Sequence, residues 1–213
     1  MNLKIILILL IFVISCQKEK ELRVVFFSSD PPAIVPYKAF DPDSYAVINH
    51  IFDKLVIFDS DGNIIPWLAE SWKRIDPLTL EFKLKQGIQF HHGEELTSED
   101  VKFTFETHLN PDIKSPTKGI LATIKEIQII DKYTFRIITY FPDGLLLFRF
   151  TKFSDILPSN LIKKMGYEEF AKNPIGTGPF KFSFWERGKR IILKKMRIIG
   201  KKAGLNTKHS FSR

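Results

Sequence analysis

Segments with the two-residue hydrophobic period of a strand alternate irregularly with segments of helical period along this chain. That mixture constrains the fold more than any other feature. Thr79 to Leu84 puts Leu80, Phe82 and Leu84 on one face, the mark of a half-buried strand. Ile124–Ile130 and Tyr133–Thr139 read as strands joined at Asp131-Lys132. Gly178–Trp185 and Arg190–Lys194 read as a second hairpin around Glu186-Arg187-Gly188. Leu22–Phe27 is a β-branched and aromatic run that reads as a buried strand; it ends at Ser28-Ser29-Asp30-Pro31-Pro32 because a proline pair cannot continue a ladder. Among the helical segments, Asp41, Asp43 and Ser44 are start residues, and Tyr45, Ile48, Phe52 and Leu55 follow on one helical face. Thr97-Ser98-Glu99-Asp100 has the form of a capping box with Asp at N3, ahead of Val101, Thr104, Phe105 and His108 on a shared face. Leu161–Lys172 is a helical stretch containing Gly166. No internal repeat and no regular βαβ rhythm is present, so the class is α/β or α+β.

The 213 residues suffice for one large domain or two small ones, and 20 phenylalanines supply core-forming surface. The formal net charge of +8 suggests nucleic acid, but the charge is concentrated at the ends. Arg197, Lys201, Lys202, Lys208 and Arg213 lie in an acid-free C-terminal stretch and Lys4 near the N-terminus. Without these six the body carries about +2, so no nucleic-acid partner is expected. Lys4 precedes a single apolar run, Ile5–Ile14, that has the form of a secretory h-region and is too short to span a bilayer. Val13-Ile14-Ser15-Cys16 then resembles a bacterial lipobox, in which the cysteine is lipidated and becomes the mature N-terminus. Cys16 is the sole cysteine, so an internal disulfide and a Cys-rich zinc site are excluded.

Few constellations carry chemistry. His91-His92-Gly93-Glu94-Glu95 contains metal-ligand types, but adjacent side chains on extended backbone face opposite ways, so no metal site is expected. Gly176-Thr177-Gly178 lacks the Lys and Ser/Thr of a phosphate loop and precedes a strand, so its glycines are expected to permit a tight turn. The acidic pairs Asp41/Asp43 and Asp59/Asp61 fall in turns. There is no Ser-His-Asp pattern and no cofactor motif, so neither an enzyme nor a cofactor is expected.

Four segments together carry a resemblance. They are Asn63-Ile64-Ile65-Pro66-Trp67-Leu68-Ala69-Glu70-Ser71-Trp72; Phe82 to Gly93; Leu96-Thr97-Ser98-Glu99-Asp100-Val101 with Phe103 to Glu106; and Pro174-Ile175-Gly176-Thr177-Gly178-Pro179-Phe180. In order and spacing, across residues 22–195, the chain resembles the extracytoplasmic solute-binding proteins of peptide/nickel-type ABC transporters, the oligopeptide- and dipeptide-binding proteins. One departure is His92, where the family carries Asp after Phe-His.

The resemblance implies an α/β, type II periplasmic-binding-protein-like fold, with a first lobe, a small inserted domain and the second lobe missing. Residues 1–15 would be the lipoprotein signal peptide, and 16–44 the tether and first part of lobe one. Residues 45–160 would be the small domain, and 161–195 the return to lobe one. By the same resemblance Ser29, Asp30 and Pro31 would reach the interlobe cleft, with Thr177 and Gly178 as further ligand contacts. The implied partners are an oligopeptide or dipeptide, the ABC permease subunits and the membrane, through lipidated Cys16. The implied place is the periplasmic or extracytoplasmic face. A surface lipoprotein with a scaffold or adhesion role, or a receptor for nickel or another small solute, are the other readings. The basic tail, 196–213, is expected to be out of frame. Reverse-translated with A/T-rich codons and read one base earlier, Lys195 to Lys201 becomes Asn-Glu-Asn-Tyr-Trp-Lys, the family pattern at this point. A chain with one wall of the cleft would bind ligand poorly and expose an apolar patch.

Overall fold

The computed structural model describes Glu21, Leu22 and residues 30–196. The expected signal peptide, Cys16, the Arg23–Phe27 part of the first strand, Ser29 and the tail from Arg197 lie outside the described residues. The order is β1 (Glu21–Leu22), a 3-10 turn at Pro36–Lys38, α1 (Pro42–Ile51), β2 (Val56–Phe58), β3 (Ile64–Pro66), β4 (Ala69–Asp76) and β5 (Thr79–Leu84). Then come α2 (Ser98–Leu109), α3 (Lys118–Leu121), β6 (Ile124–Ile129), β7 (Thr134–Thr139), α4 (Leu146–Phe153), α5 (Ser159–Met165), α6 (Tyr167–Lys172), β8 (Phe180–Glu186) and β9 (Arg190–Lys195). No helix among the described residues is long and apolar enough to cross a membrane.

Local chemistry accounts for most of these elements. Asp41 caps α1, accepting from the Ser44 backbone N–H at 2.8 Å and its hydroxyl at 2.6 Å, and Pro42 occupies the first turn. Thr97 and Asp100 form the expected capping box of α2. Asp131 accepts from the N–H groups of Tyr133 and Thr134 and closes the β6–β7 hairpin. Gly166, at φ 83°, separates α5 from α6 in a conformation that L side chains rarely adopt.

Two cores organise the chain. The first is built on an antiparallel sheet of order β4-β5-β7-β6. Phe82 on β5 faces Phe135 on β7 in register, with the rings stacked at 5.3 Å. Val101, Phe105 and His108 of α2 bury against this sheet, and Phe150 of α4 meets Phe105 at 5.0 Å and Phe82 at 6.0 Å. The second core gathers Ile34, Tyr37, Val47, Ile48, Ile51 and Phe52 with Leu157, Ile162, Phe170 and Leu193. It lies on a smaller antiparallel sheet of order β1-β9-β8.

The chain changes cores between Phe52 and Leu55 on the way out and between Ile156 and Leu157 on the way back. All of α1 packs in the second core, because Val47, Ile48 and Ile51 face it. The structure corrects the helical face drawn through Leu55: α1 ends at Ile51, Phe52 is extended (φ −114°, ψ 150°), and Leu55 belongs to the other core. Helix α4 was not foreseen.

His108 is fully buried, with Nδ1 2.7 Å from Thr117 Oγ1 and 3.1 Å from Ser115 Oγ. Burial lowers its pKa from 6.5 to about 4, so the folded protein holds a neutral imidazole. The unfolded chain protonates first as the pH falls. Stability from this group is therefore complete above pH 6.5 and is lost as the pH falls toward 4, by about 3 kcal/mol. Urea titrations across this range should show that slope in the native chain and a shallower one in His108→Gln. Equal slopes would exclude a neutral buried His108.

Candidate functional site

Residues Asp30 and Pro31 emerge beside the turn of the β8–β9 hairpin, some 155 residues later in the chain. The indole Nε1 of Trp185 donates to Asp30 Oδ1 at 3.0 Å. The Arg187 guanidinium donates to the Pro31 carbonyl at 3.0 Å and lies 3.4 Å from Asp30 Oδ2. The same guanidinium sits 3.4 Å above the Trp185 ring centroid, so it neutralises the carboxylate and covers the indole face together. Hairpin geometry explains the pairing: Gly188, at φ 72°, turns the chain tightly and leaves Trp185 and Arg187 projecting near its end.

A groove of about 340 Å³ runs beside this clamp. Ala33, Ile34 and Val35 give it an apolar floor, and Lys38, Glu168 and Arg187 form part of a charged rim. Lys38 pairs with Glu168 at 2.6 Å across that rim. The Glu168 carboxyl titrates below its usual range because of the hydrogen bond from Lys38. An apolar floor, an indole and charges of both signs suit a short amphipathic molecule carrying ionised ends.

Thr177 and Gly178 sit elsewhere, between the two cores. Thr177 is only 2% exposed, and its hydroxyl donates to Asp53 Oδ2 at 2.9 Å. The Gly178 N–H donates to the Ile51 carbonyl at 2.9 Å, and its carbonyl lies 2.8 Å from His91 Nε2. Neither Gly176 nor Gly178 has a positive φ, which corrects the expectation of a turn that needs glycine freedom. Their requirement is space: a Cβ would lie 2.1 Å from the Ile51 carbonyl oxygen at Gly176 and 2.5 Å from that of His50 at Gly178.

The structure thus brings Asp30 and Pro31 together with Arg187, and Thr177 and Gly178 together with Asp53 and His91. His91 and His92 diverge: the backbone N–H of His91 donates to the Gly176 carbonyl at 2.9 Å, whereas His92 lies 3.4 Å from Glu94. No group of three metal-ligating side chains occurs among the described residues. Sequence reasoning missed Trp185, Arg187, Asp53 and His91 as partners of the expected residues. Its one usable signal was a Trp and an Arg beside a hairpin turn.

Comparison with known proteins bears on this arrangement. Residues 63–197 match the family of bacterial extracellular solute-binding proteins, family 5, middle region. The oligopeptide-binding protein AppA of Bacillus subtilis is 27% identical over 217 aligned positions, covering 91% of this chain and 40% of AppA. The structure of AppA with a nonapeptide superposes with a TM-score of 0.73 at 28% identity, over 79% of this chain and 35% of that one. DppA of Helicobacter pylori with the peptide STSA gives 0.72 at 31% identity, over 79% and 38%. NikZ of Campylobacter jejuni with Ni(L-His) gives 0.71 at 31% identity, over 77% and 33%. The mixed α/β fold expected from the sequence is the periplasmic-binding-protein fold found, and this chain spans about 40% of AppA's length.

Proposed function

Because this chain belongs to family 5 of the bacterial extracellular solute-binding proteins, we propose that it serves peptide capture for an ABC importer. The observation that carries this reading is the groove beside the Asp30–Trp185–Arg187 clamp, in a fold shared with peptide-bound AppA and DppA. Captured peptide would be handed to permease subunits after closure of two lobes about a hinge. Cys16, lipidated after removal of residues 1–15, would hold the protein at the outer face of a membrane. The work is binding and release, without chemistry.

The 213 residues carry lobe one and the small domain in this reading, one wall of the cleft. A binding cleft buries ~70–90% of its ligand between two walls. These residues alone should therefore bind weakly. Asp30 and Pro31, held by Trp185 and Arg187 beside the groove, would meet ligand there, whereas Thr177 and Gly178 would act on ligand only through the scaffold. Equilibrium dialysis with a defined tripeptide mixture tests the reading. The 213-residue chain should retain no peptide at micromolar concentration, and a longer product with the shifted frame opened after Lys195 should retain it. Micromolar binding by the short chain would overturn the one-wall reading. A folded longer product that binds no peptide would overturn peptide capture.

A further inference from the structure

Ionic side chains stand at the outward change of cores and just before the return one. Asp53 and Lys54 lie at the outward crossing and are each 8% exposed; Asp155 lies immediately before Ile156 and the return crossing and is fully buried. Asp53 accepts from Trp67 Nε1 at 2.9 Å and from the Thr177 hydroxyl at 2.9 Å. Lys54 donates to Asn49 Oδ1 at 2.6 Å and to Asp155 Oδ1 at 2.7 Å. Trp67 packs on the first core and Asn49 lies on α1 in the second, while Thr177 stands between the two. Asp53 therefore ties Trp67 of the first core to the Thr177 segment, and Lys54 ties Asn49 of α1 to Asp155 beside Ile156 of the first core.

Backbone bonds reinforce the same seam. The Ile156 N–H donates to the Asp53 carbonyl at 3.0 Å, and the Leu55 N–H to the Ser154 hydroxyl at 2.9 Å. The Asp100 carboxylate, while capping α2, also accepts from the Ser159 backbone and hydroxyl at 2.8 and 2.7 Å. His91, on a loop of the first body, is held against Gly176 and Gly178.

Stability alone does not explain this design. A buried ion pair loses most of its attraction to desolvation, and an apolar pair of equal volume would often hold as well. Burial pushes the Asp155 carboxyl up, against the opposing pull of Lys54, and Oδ2 of Asp155 has no hydrogen-bond partner among the described residues. What directional bonds add over apolar contact is a single permitted arrangement, since an apolar seam can slide whereas a misaligned buried carboxylate cannot find its partners. We propose that the Asp53–Lys54–Asp155–Thr177 network is a latch that fixes the small domain on lobe one in one orientation, so that the two move and unfold as one body. The groove wall then reaches any partner lobe as a rigid unit.

The test is native-state hydrogen exchange with calorimetry on the 213-residue chain and on Lys54→Met, Asp155→Leu, the double variant Lys54→Met/Asp155→Leu, and Thr177→Val. Wild type should melt in one transition. Thr177→Val removes one hydroxyl at nearly constant volume, so it reports even where a charged-pair variant fails to fold. It should speed exchange of the Leu55 and Ile156 amides by roughly tenfold while leaving the Phe82 and Phe135 amides unchanged. The charged single variants that fold should split the melt into two transitions, and the double variant should lose less than the sum of the singles. Two transitions in the wild-type chain would overturn the latch. So would Thr177→Val exchange at both crossings equal to wild type, or effects of Lys54 and Asp155 that simply add.

Discussion

Gly176→Ala is expected to destabilise the chain by more than about 3 kcal/mol, enough to leave little folded protein. The added methyl would lie 2.1 Å from the Ile51 carbonyl oxygen and 2.9 Å from Phe52 Cδ1. Neither side can retreat. The Ile51 carbonyl accepts from Gly178, and the Gly176 carbonyl accepts from His91, each at 2.9 Å. Overpacking against backbone that is hydrogen-bonded on both sides has no cheap relaxation. Gly119→Ala is the control: its Cβ meets nothing within 4 Å and its φ is not positive. That change should leave the urea midpoint close to wild type or raise it slightly. A Gly176→Ala midpoint equal to that of Gly119→Ala would refute the close approach.

The second large effect is expected at Phe150. Its ring is fully buried against Phe105 and Phe82, and it carries the contact between α4 and the four-stranded sheet. Truncation to alanine removes that area and leaves a cavity between two rigid layers, at a cost of about 3–5 kcal/mol. Phe148, two residues earlier, is 52% exposed and meets the Phe58 ring edge-on at 5.6 Å, so Phe148→Ala should cost only about 1 kcal/mol. Urea denaturation of both variants reads the difference directly. Similar losses would mean that α4 is not seated as described.

The same helix shows where reading the sequence falls short. Residues 144–153 do carry a helical period, with Leu146, Phe150 and Phe153 four and three positions apart, but the flanking apolar Leu145, Leu147 and Phe148 mask it, and which residues turn inward depends on the sheet beneath. By contrast, the start and buried face of α2 were legible, because its cap needs only Thr97 and Asp100 three positions apart and its buried face repeats at helical spacing. The β6–β7 hairpin was legible for the same reason. The end of α1 was not: Phe52 continues the helical pattern, yet the chain straightens there to cross into the other core.

The candidate site divides along the same line. The loop at Asp30 and Pro31 was identified from its place in the family pattern. Its clamp by Trp185 and Arg187 joins residues 155 to 157 positions apart. Thr177 was identified as a polar residue in a glycine motif, and its partner Asp53 lies 124 positions away.

What the sequence by itself determined was everything set by near neighbours: caps, turns, hairpins, strand and helix periods, the neutral body between basic ends, and the motif order that assigns the family. Tertiary structure alone decided which core each segment joins, why two glycines are needed at 176 and 178, and which buried charges face one another. The physical reason is range. A cap or a period is fixed by groups a few residues apart, whereas burial, close approach and ion pairing depend on surfaces that meet only after distant segments have packed.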